Sequence, residues 1–203
     1  MTDELKRPAL IVVDMQNGFI DENGSMCKAG FDVSPLKGIV KNVVRLVKTA
    51  RSHEIPVIYT KQTFRKDYVD GGKVIERWPS LKETGGLIEG SWDAQIINEL
   101  SPLDGDYIII KRRFSAFYNT DLEILLRNLG TQTLIVIGVT TRVCVESTVR
   151  DAQFRDFSVV VVSDCTSAYD KNLHEASLRN IEFAFGNVVS MNEALSSMKN
   201  LKW

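Results

Sequence analysis

The sequence predicts an α/β fold, a three-layer Rossmann-like arrangement of about six parallel strands flanked by helices. Short apolar runs alternate along the chain with segments whose apolar residues recur at helical spacing. The strand runs are continuously apolar, which is typical of strands that a parallel sheet buries on both faces. Because the 203 residues contain no internal repeat or linker, we expect one domain over residues 1–203.

Six apolar runs are predicted to be strands, and most are followed by a glycine or a polar residue. In chain order they cover residues 9–13, 56–59, 107–110, 134–137, 158–162 and 187–190. A helix is predicted from Ser34, where a cap precedes a first-turn proline. Further helices are predicted at residues 92–100, 120–130, 143–154 and 173–185. Residues 61–90 have glycine breaks and no period, so we expect a long functional loop with short elements.

The composition is that of a soluble globular protein, with 44% apolar and 25% charged residues. Lysine and arginine total 25 against 26 acidic residues, so no positive field favours binding to nucleic acid or to anionic lipid. No apolar run approaches the roughly 20 residues of a membrane span, and the first residues lack a signal-peptide pattern. The three widely spaced cysteines show no disulfide framework, so we expect a reduced, cytoplasmic protein.

Three chemically reactive side chains follow predicted strands. Asp14 comes after the first strand, Lys111 after the third, and Cys144 at the start of the helix that follows the fourth. Because ligands bind at the carboxyl ends of parallel strands, we expect all three at one edge of the sheet. Each residue alone has a plainer interpretation, as a helix cap, a solvated amine or a small core residue. Only the combination favours a site.

The setting of Cys144 is predicted to activate its thiol. A helix N-terminus and a nearby ammonium both favour thiolate, so we expect a pKa below the roughly 8.5 of a free thiol. Asp14 can act as the base in place of the usual histidine. Neither His53 nor His174 has the context of a Cys–His dyad, and we expect His174 to be structural. Cys27 and Cys165 are interpreted as packing residues.

No metal and no cofactor are predicted. Residues 60–64, after the second strand, contain no histidine, cysteine or acid, and Asp67 and Asp70 are isolated carboxylates. The glycine pairs of the chain lack the strand–loop–helix context that phosphate and dinucleotide sites require.

Three segments of the chain resemble the isochorismatase-like cysteine hydrolase superfamily. They are IVVDMQNGF at residues 11–19, Lys111 with FSAF at residues 114–117, and GVTTRVCVE at residues 138–146. They have the order and spacing of that family, and the α/β pattern covers essentially the whole chain. The resemblance implies a catalytic triad of Asp14, Lys111 and Cys144.

The resemblance also implies an oxyanion hole and a substrate class. A cis peptide bond between Val139 and Thr140 would aim the N–H of Thr140, beside that of Cys144, at a developing oxyanion. The segment CVESTVRDA at residues 144–152 is most similar to the branch of ureidoacrylate, biuret and N-carbamoylsarcosine amidohydrolases. The zinc-assisted nicotinamidases place histidines after the second strand, where this chain has Lys61, Gln62 and Thr63. The family further implies a homo-oligomer, a dimer or a tetramer.

Six residues near strand ends are candidates for substrate binding. They are Gln16, Phe19, Gln62, Phe117, Tyr118 and Arg142. The aromatic residues are equally expected to pack beneath the site, and Arg142 either pairs with a substrate carboxylate or faces solvent.

The predicted function is that of a cysteine amidohydrolase. It would cleave a C–N bond of a small ureido, carbamoyl or amide substrate through a covalent thioester and release ammonia. The alternatives are a catalytically inactive binding or assembly protein with the same fold, and a nicotinamidase-like amidase. A redox sensor is disfavoured because the chain has no C-x-x-C pair.

Overall fold

A single sheet of six parallel strands forms the centre of the molecule, in the order β3-β2-β1-β4-β5-β6. The computed structural model describes residues 5–201, so the ends of the predicted domain, residues 1–4 and 202–203, lie outside the described residues. The strands are β1 Pro8–Val13, β2 Val57–Gln62, β3 Tyr107–Lys111, β4 Thr133–Val139, β5 Ser158–Ser167 and β6 Asn187–Val189. The predicted parallel sheet is therefore confirmed.

Helices cover both faces of the sheet. They are α1 Asn17–Ile20, α2 Ser25–Lys28, α3 Ser34–Gly38, α4 Val40–Ser52, α5 Lys73–Arg77, α6 Ser80–Glu83, α7 Leu122–Asn128, α8 Glu146–Gln153, α9 Lys171–Ala184 and α10 Met191–Lys199. A 3-10 turn spans Asn98–Leu100 and a π-helical turn spans Thr141–Val145. One apolar core includes Leu46 of α4 and Met198 of α10, and the other includes Leu126, Val149 and Ile181 of α7, α8 and α9. These two cores make the three predicted layers.

Several element boundaries differ from the prediction. The helix from Ser34 divides at Gly38 into α3 and α4, and the helix predicted at residues 143–154 begins as the π-helical turn. The helix predicted at residues 92–100 is reduced to its last turn, because the backbone carbonyls of Asp93 and Gln95 accept hydrogen bonds from the N–H groups of Gly18 and Asn17 instead of from a helix. Residues 61 and 62 complete β2, and the remainder of the predicted loop carries α5 and α6.

Helix α10 was missed by the sequence interpretation. Ser190 and Glu193 form a capping box at its start, in which each side chain bonds the other residue's backbone N–H. The S-x-x-E pattern was therefore a readable sequence signal for this helix. None of the described helices is long and apolar enough to cross a membrane.

The carboxyl ends of the central strands are level with one another. Val13 pairs with Gly138, and Gln62 pairs with Lys111. Gly138 has a φ of +107°, and a Cβ at this position would lie 2.1 Å from the carbonyl oxygen of Val13. Only glycine permits this approach. It brings the end of β4 against the residue that precedes Asp14.

Candidate active site

A fully buried ion pair joins the ends of β1 and β3. Lys111 Nζ lies 2.7 Å from Asp14 Oδ2, and both side chains are inaccessible to solvent. The other carboxylate oxygen, Oδ1, accepts a 2.7 Å hydrogen bond from Thr60 Oγ1, which in turn accepts from the Asp14 N–H. Apart from Lys111, Asp14 Oδ2 has no hydrogen-bond partner among the described residues. Each carboxylate oxygen of Asp14 thus has one partner, Lys111 for Oδ2 and Thr60 for Oδ1.

Thr60 is a site residue that the sequence interpretation missed. It lies in β2, beside β1, and its side chain is fully buried. A hydroxyl group inside an otherwise apolar strand was the available signal, because a buried polar group needs a partner.

Lys111 is held in its charged form by its neighbours. Burial lowers its pKa, but the attraction of Asp14 and Cys144 outweighs burial, and the pKa is raised overall. Its Nζ also donates to the side-chain oxygen of Gln62 at 3.3 Å and to the carbonyl of Arg113 at 3.2 Å. Lys111 is thus a buried ammonium whose donors all have acceptors.

Cys144 lies beside this pair, and its thiol donates to Gln62 Oε1 at 3.6 Å. The pKa of Cys144 is raised to about 12 overall, because burial and the Asp14 charge, which raise it, outweigh Lys111, which lowers it. The expected lowering of this pKa is therefore wrong for the resting site, because desolvation exceeds the effect of the ammonium. The resting site holds a thiol, a carboxylate and an ammonium.

The turn before Cys144 has an unusual backbone. The peptide bond between Val139 and Thr140 is cis. The carbonyl of Thr140 accepts hydrogen bonds from the N–H groups of Val143 and Val145, at 3.1 and 3.2 Å, which closes the π-helical turn. Thr140 and Cys144 consequently border the same cavity.

Helix α9 holds this turn from the outside. Thr141 Oγ1 lies 2.8 Å from Nδ1 of His174, and burial lowers the pKa of His174. Glu146, two residues after the nucleophile, accepts hydrogen bonds from Ser177 and Asn180 of α9. His174 therefore acts as a structural partner of the nucleophile turn.

The cavity above Cys144 has apolar walls. Five of its lining residues carry polar side-chain atoms, namely Gln62, Thr140, Cys144, Tyr169 and, through its indole N–H, Trp78. The others are Phe19, Met26, Val74, Leu81, Leu87, Phe114 and Val143. Its free volume of about 20 Å³ is room for one water molecule.

Two of the six predicted binding residues, Phe19 and Gln62, line this cavity. Gln16 does not, since its side-chain amide bonds the backbone of Gln62 and Ala94. Phe117 belongs to the core between the sheet and α7–α9, where it packs against Phe157.

Tyr118 and Arg142 also lie off the cavity wall. Tyr118 is 53% exposed and borders a separate surface cleft with Arg112 and Arg113. Arg142 is partly buried, and its Nε has no hydrogen-bond partner among the described residues. Gln16, Phe117, Tyr118 and Arg142 therefore do not line this cavity, and their assignment to substrate binding stays a prediction.

The described residues contain no group of three or more histidine, cysteine, aspartate or glutamate side chains that could hold a metal ion. The chemistry that these residues offer is instead a nucleophile, a base and a fixed positive charge. A thiol can attack a carbonyl carbon while an adjacent carboxylate takes its proton.

Known proteins are similar to this chain in both sequence and fold. Ureidoacrylate amidohydrolases of Methylorubrum extorquens and Acinetobacter baylyi are 38% and 39% identical, over 93% and 89% of this chain and 82% and 79% of theirs. A cysteine hydrolase from Pseudomonas syringae has a TM-score of 0.88 and 30% identity, covering 98% of this chain and 99% of that one. N-carbamoylsarcosine amidase from Thermoplasma acidophilum has a TM-score of 0.76 and 27% identity, covering 92% and 98%. The family model of the isochorismatase domain matches residues 8–193. The chain therefore belongs to the isochorismatase family.

Proposed function

We propose that this protein is a cysteine amidohydrolase that cleaves a C–N bond of a small ureido, carbamoyl or amide substrate. The observation that carries the proposal is the buried Asp14–Lys111 ion pair beside the Cys144 thiol. The relatives named ureidoacrylate amidohydrolase and N-carbamoylsarcosine amidase support a ureido or carbamoyl substrate. An inactive protein of the same fold would have no need of a charged pair buried against a thiol.

In the first half of the reaction, Cys144 forms a bond to the substrate carbonyl. Its proton moves to Asp14 Oδ2 as the sulfur attacks, and the carbonyl electron pair moves onto oxygen. The N–H groups of Thr140 and Cys144 hold the resulting oxyanion, a type of interaction worth about 10²–10³ in rate per donor. The C–N bond then breaks, and the amine leaves with the proton from Asp14.

In the second half of the reaction, water hydrolyses the thioester and frees Cys144. Asp14 takes a proton from water, the oxygen attacks the thioester carbon, and the C–S bond breaks. The sulfur recovers its proton, and an acid leaves, which is a carbamic acid when the substrate is a urea. Lys111 keeps its charge throughout and stabilises both the Asp14 carboxylate and the transient thiolate.

Gln62 orients the substrate in this scheme. Its Oε1 faces two donors, Lys111 Nζ and the Cys144 thiol, which determines the orientation of the amide. The Nε2 group has no acceptor among the described residues and is left as a donor for the substrate. Gln62 is therefore a binding residue that also holds the resting nucleophile.

We also propose that the chain forms a homodimer or homotetramer. Strand β3 is an edge of the sheet and exposes Tyr107, Ile108 and Ile110. An exposed apolar edge favours pairing with another chain. Light scattering of the purified protein tests this, and a monomer at micromolar concentration would contradict it.

The decisive assay measures ammonia release from a panel of ureas, carbamoyl compounds and amides. We expect turnover by the wild type and by Cys165→Ala, a matched control at a second buried cysteine. Cys144→Ala and Cys144→Ser should lose activity by about 10⁴-fold or more. Mass spectrometry of the quenched wild type should show a thioester on Cys144. Equal ammonia release by Cys144→Ala would refute the proposal.

A further inference from the structure

The proposed catalytic base has a backbone conformation that needs support. Asp14 follows β1 and has a φ of +47°, in the left-handed region that residues other than glycine seldom adopt. Its side chain is fully buried, so solvent cannot supply hydrogen bonds to it. A residue keeps such a conformation only when the surrounding structure holds it there.

Thr60 bonds Asp14 at two points. The backbone N–H of Asp14 donates to Thr60 Oγ1 at 3.2 Å, and the Thr60 hydroxyl donates its proton to Asp14 Oδ1 at 2.7 Å. The direction of both bonds is fixed, because a backbone N–H can only donate and an ionised carboxylate can only accept. The Thr60 hydroxyl therefore links the backbone of Asp14 to its carboxylate and restricts rotation of the side chain.

The surroundings of Thr60 give its hydroxyl no other partner. Thr60 is fully buried in β2, and Ile58, two residues earlier on the same face of the strand, belongs to the apolar core that also contains Cys144. Valine, which is also β-branched, would serve the packing of this position. Both side-chain hydrogen bonds of Thr60 to the described residues are with Asp14. The hydroxyl thus acts on Asp14 alone.

The carboxylate of Asp14 is consequently held at both oxygens. Thr60 bonds Oδ1, while Lys111 Nζ lies 2.7 Å from Oδ2. In the proposed reaction the proton of Cys144 moves to Oδ2, so the geometry of that transfer depends on how Oδ1 is held. Lys111 supplies charge to the base, and Thr60 supplies its orientation.

We propose that Thr60 is a positioning residue that orients Asp14 for proton transfer in both halves of the reaction. The inference rests on the proposed function and adds a residue to its mechanism. By holding Oδ1, the hydroxyl keeps Oδ2 where it takes the thiol proton, gives it to the departing amine and takes one from water. Thr60 does not line the cavity, so it acts through Asp14 and not on the substrate.

The test removes the hydroxyl and keeps the shape of the side chain. On the panel compound from which the wild type releases ammonia fastest, Thr60→Val should lower kcat by about 10–100-fold and change KM by less than about threefold. A misplaced proton acceptor slows the chemical steps but leaves the substrate contacts in place. Thr60→Ser keeps the hydroxyl and should restore kcat to within about fivefold of the wild type.

Two further variants complete the comparison. Thr60→Ala also loses the hydroxyl and gives an independent measurement of the same fall in kcat. Thr133→Val is the matched control, because it removes a buried hydroxyl at the first residue of β4, the end of the strand that lies away from the site. It should keep the kcat of the wild type. Circular dichroism measures the folded fraction, and each rate is expressed per folded protein.

The outcomes separate this role from the proposed function. Wild-type kcat in folded Thr60→Val or Thr60→Ala overturns the role of Thr60 and leaves the amidohydrolase intact. A Thr60→Ser protein as slow as Thr60→Val also overturns it, because the hydroxyl would then not set the rate. Ammonia release by the wild type from no compound of the panel contradicts the proposed function and, with it, this role.

Discussion

Two ion pairs close to the nucleophile have the same nitrogen–oxygen distance of 2.7 Å, Asp14 with Lys111 and Glu146 with Arg150. They differ in what else contacts the carboxylate. Arg150 and Asn180 donate to one oxygen of Glu146, and Ser177 donates to the other. In Asp14, Oδ2 has no partner except the ammonium.

The partners of Glu146 are those of a structural carboxylate, whereas Asp14 is the proposed base. Burial raises the pKa of Glu146, but hydrogen bonds from Ser177, Arg150 and Asn180 outweigh it and the pKa is lowered. A carboxylate with such partners resists protonation. Asp14 is buried more deeply and lies against a thiol.

The largest expected effect is the loss of activity when the Asp14 charge is removed. Asp14→Asn should lower kcat by about 10²–10⁴-fold, because the thiol loses its base. Glu146→Gln should lower kcat by less than about tenfold, since it acts only on the position of helix α8. Steady-state ammonia release measures both. Similar losses of kcat in the two variants would contradict the different roles of Asp14 and Glu146.

The cations should differ in their effect on folding. Lys111→Met leaves the Asp14 charge buried without a partner and should lower the free energy of unfolding by about 3–5 kcal/mol. Arg150 is 39% exposed, so Arg150→Met should cost only about 1–2 kcal/mol, including its contact with the Phe185 ring. Urea denaturation followed by circular dichroism measures the two values. Equal destabilisation would show that both pairs are structural.

The resting proton on Cys144 can be observed by alkylation. Because its pKa is raised to about 12, the labelling rate should rise by about tenfold per pH unit between about pH 7 and 10. Peptide mass spectrometry with iodoacetamide resolves this rate from that of the partly buried Cys27. A plateau below about pH 8.5 would indicate a resting thiolate and contradict the proton transfer to Asp14.

The smallest effect is the pH dependence that Glu146 gives to stability. Its pKa in the folded protein lies below the ordinary 4.5, so its contribution is present above that value and is lost as the pH falls through the folded pKa. Glu146→Gln should therefore be less stable than wild type by about 1–3 kcal/mol at pH 7, and the difference should shrink below about pH 4. A difference in stability that stays constant between pH 7 and pH 4 would show that Glu146 is not the source of this pH dependence.

Much of the fold was predictable because its signals are local. Continuous apolar runs indicated buried parallel strands, and the residues following them indicated which side chains meet at the carboxyl edge. Helix boundaries were less predictable where a distant segment takes the backbone hydrogen bonds of the helix. The carbonyls of Asp93 and Gln95, for example, accept from the N–H groups of Gly18 and Asn17, and the segment around them is not helical.

By itself, the sequence determined the parallel sheet, the family and the placement of Asp14, Lys111 and Cys144 near one edge, because strand ends follow from short-range patterns and parallel strands end at the same edge. The order of the strands was decided by the tertiary structure. Tertiary structure alone decided the protonation of the thiol, the pairing of Thr60 with Asp14 and the apolar wall of the cavity. Each of these depends on how much water is excluded when segments far apart in the chain pack together. No local pattern encodes that exclusion.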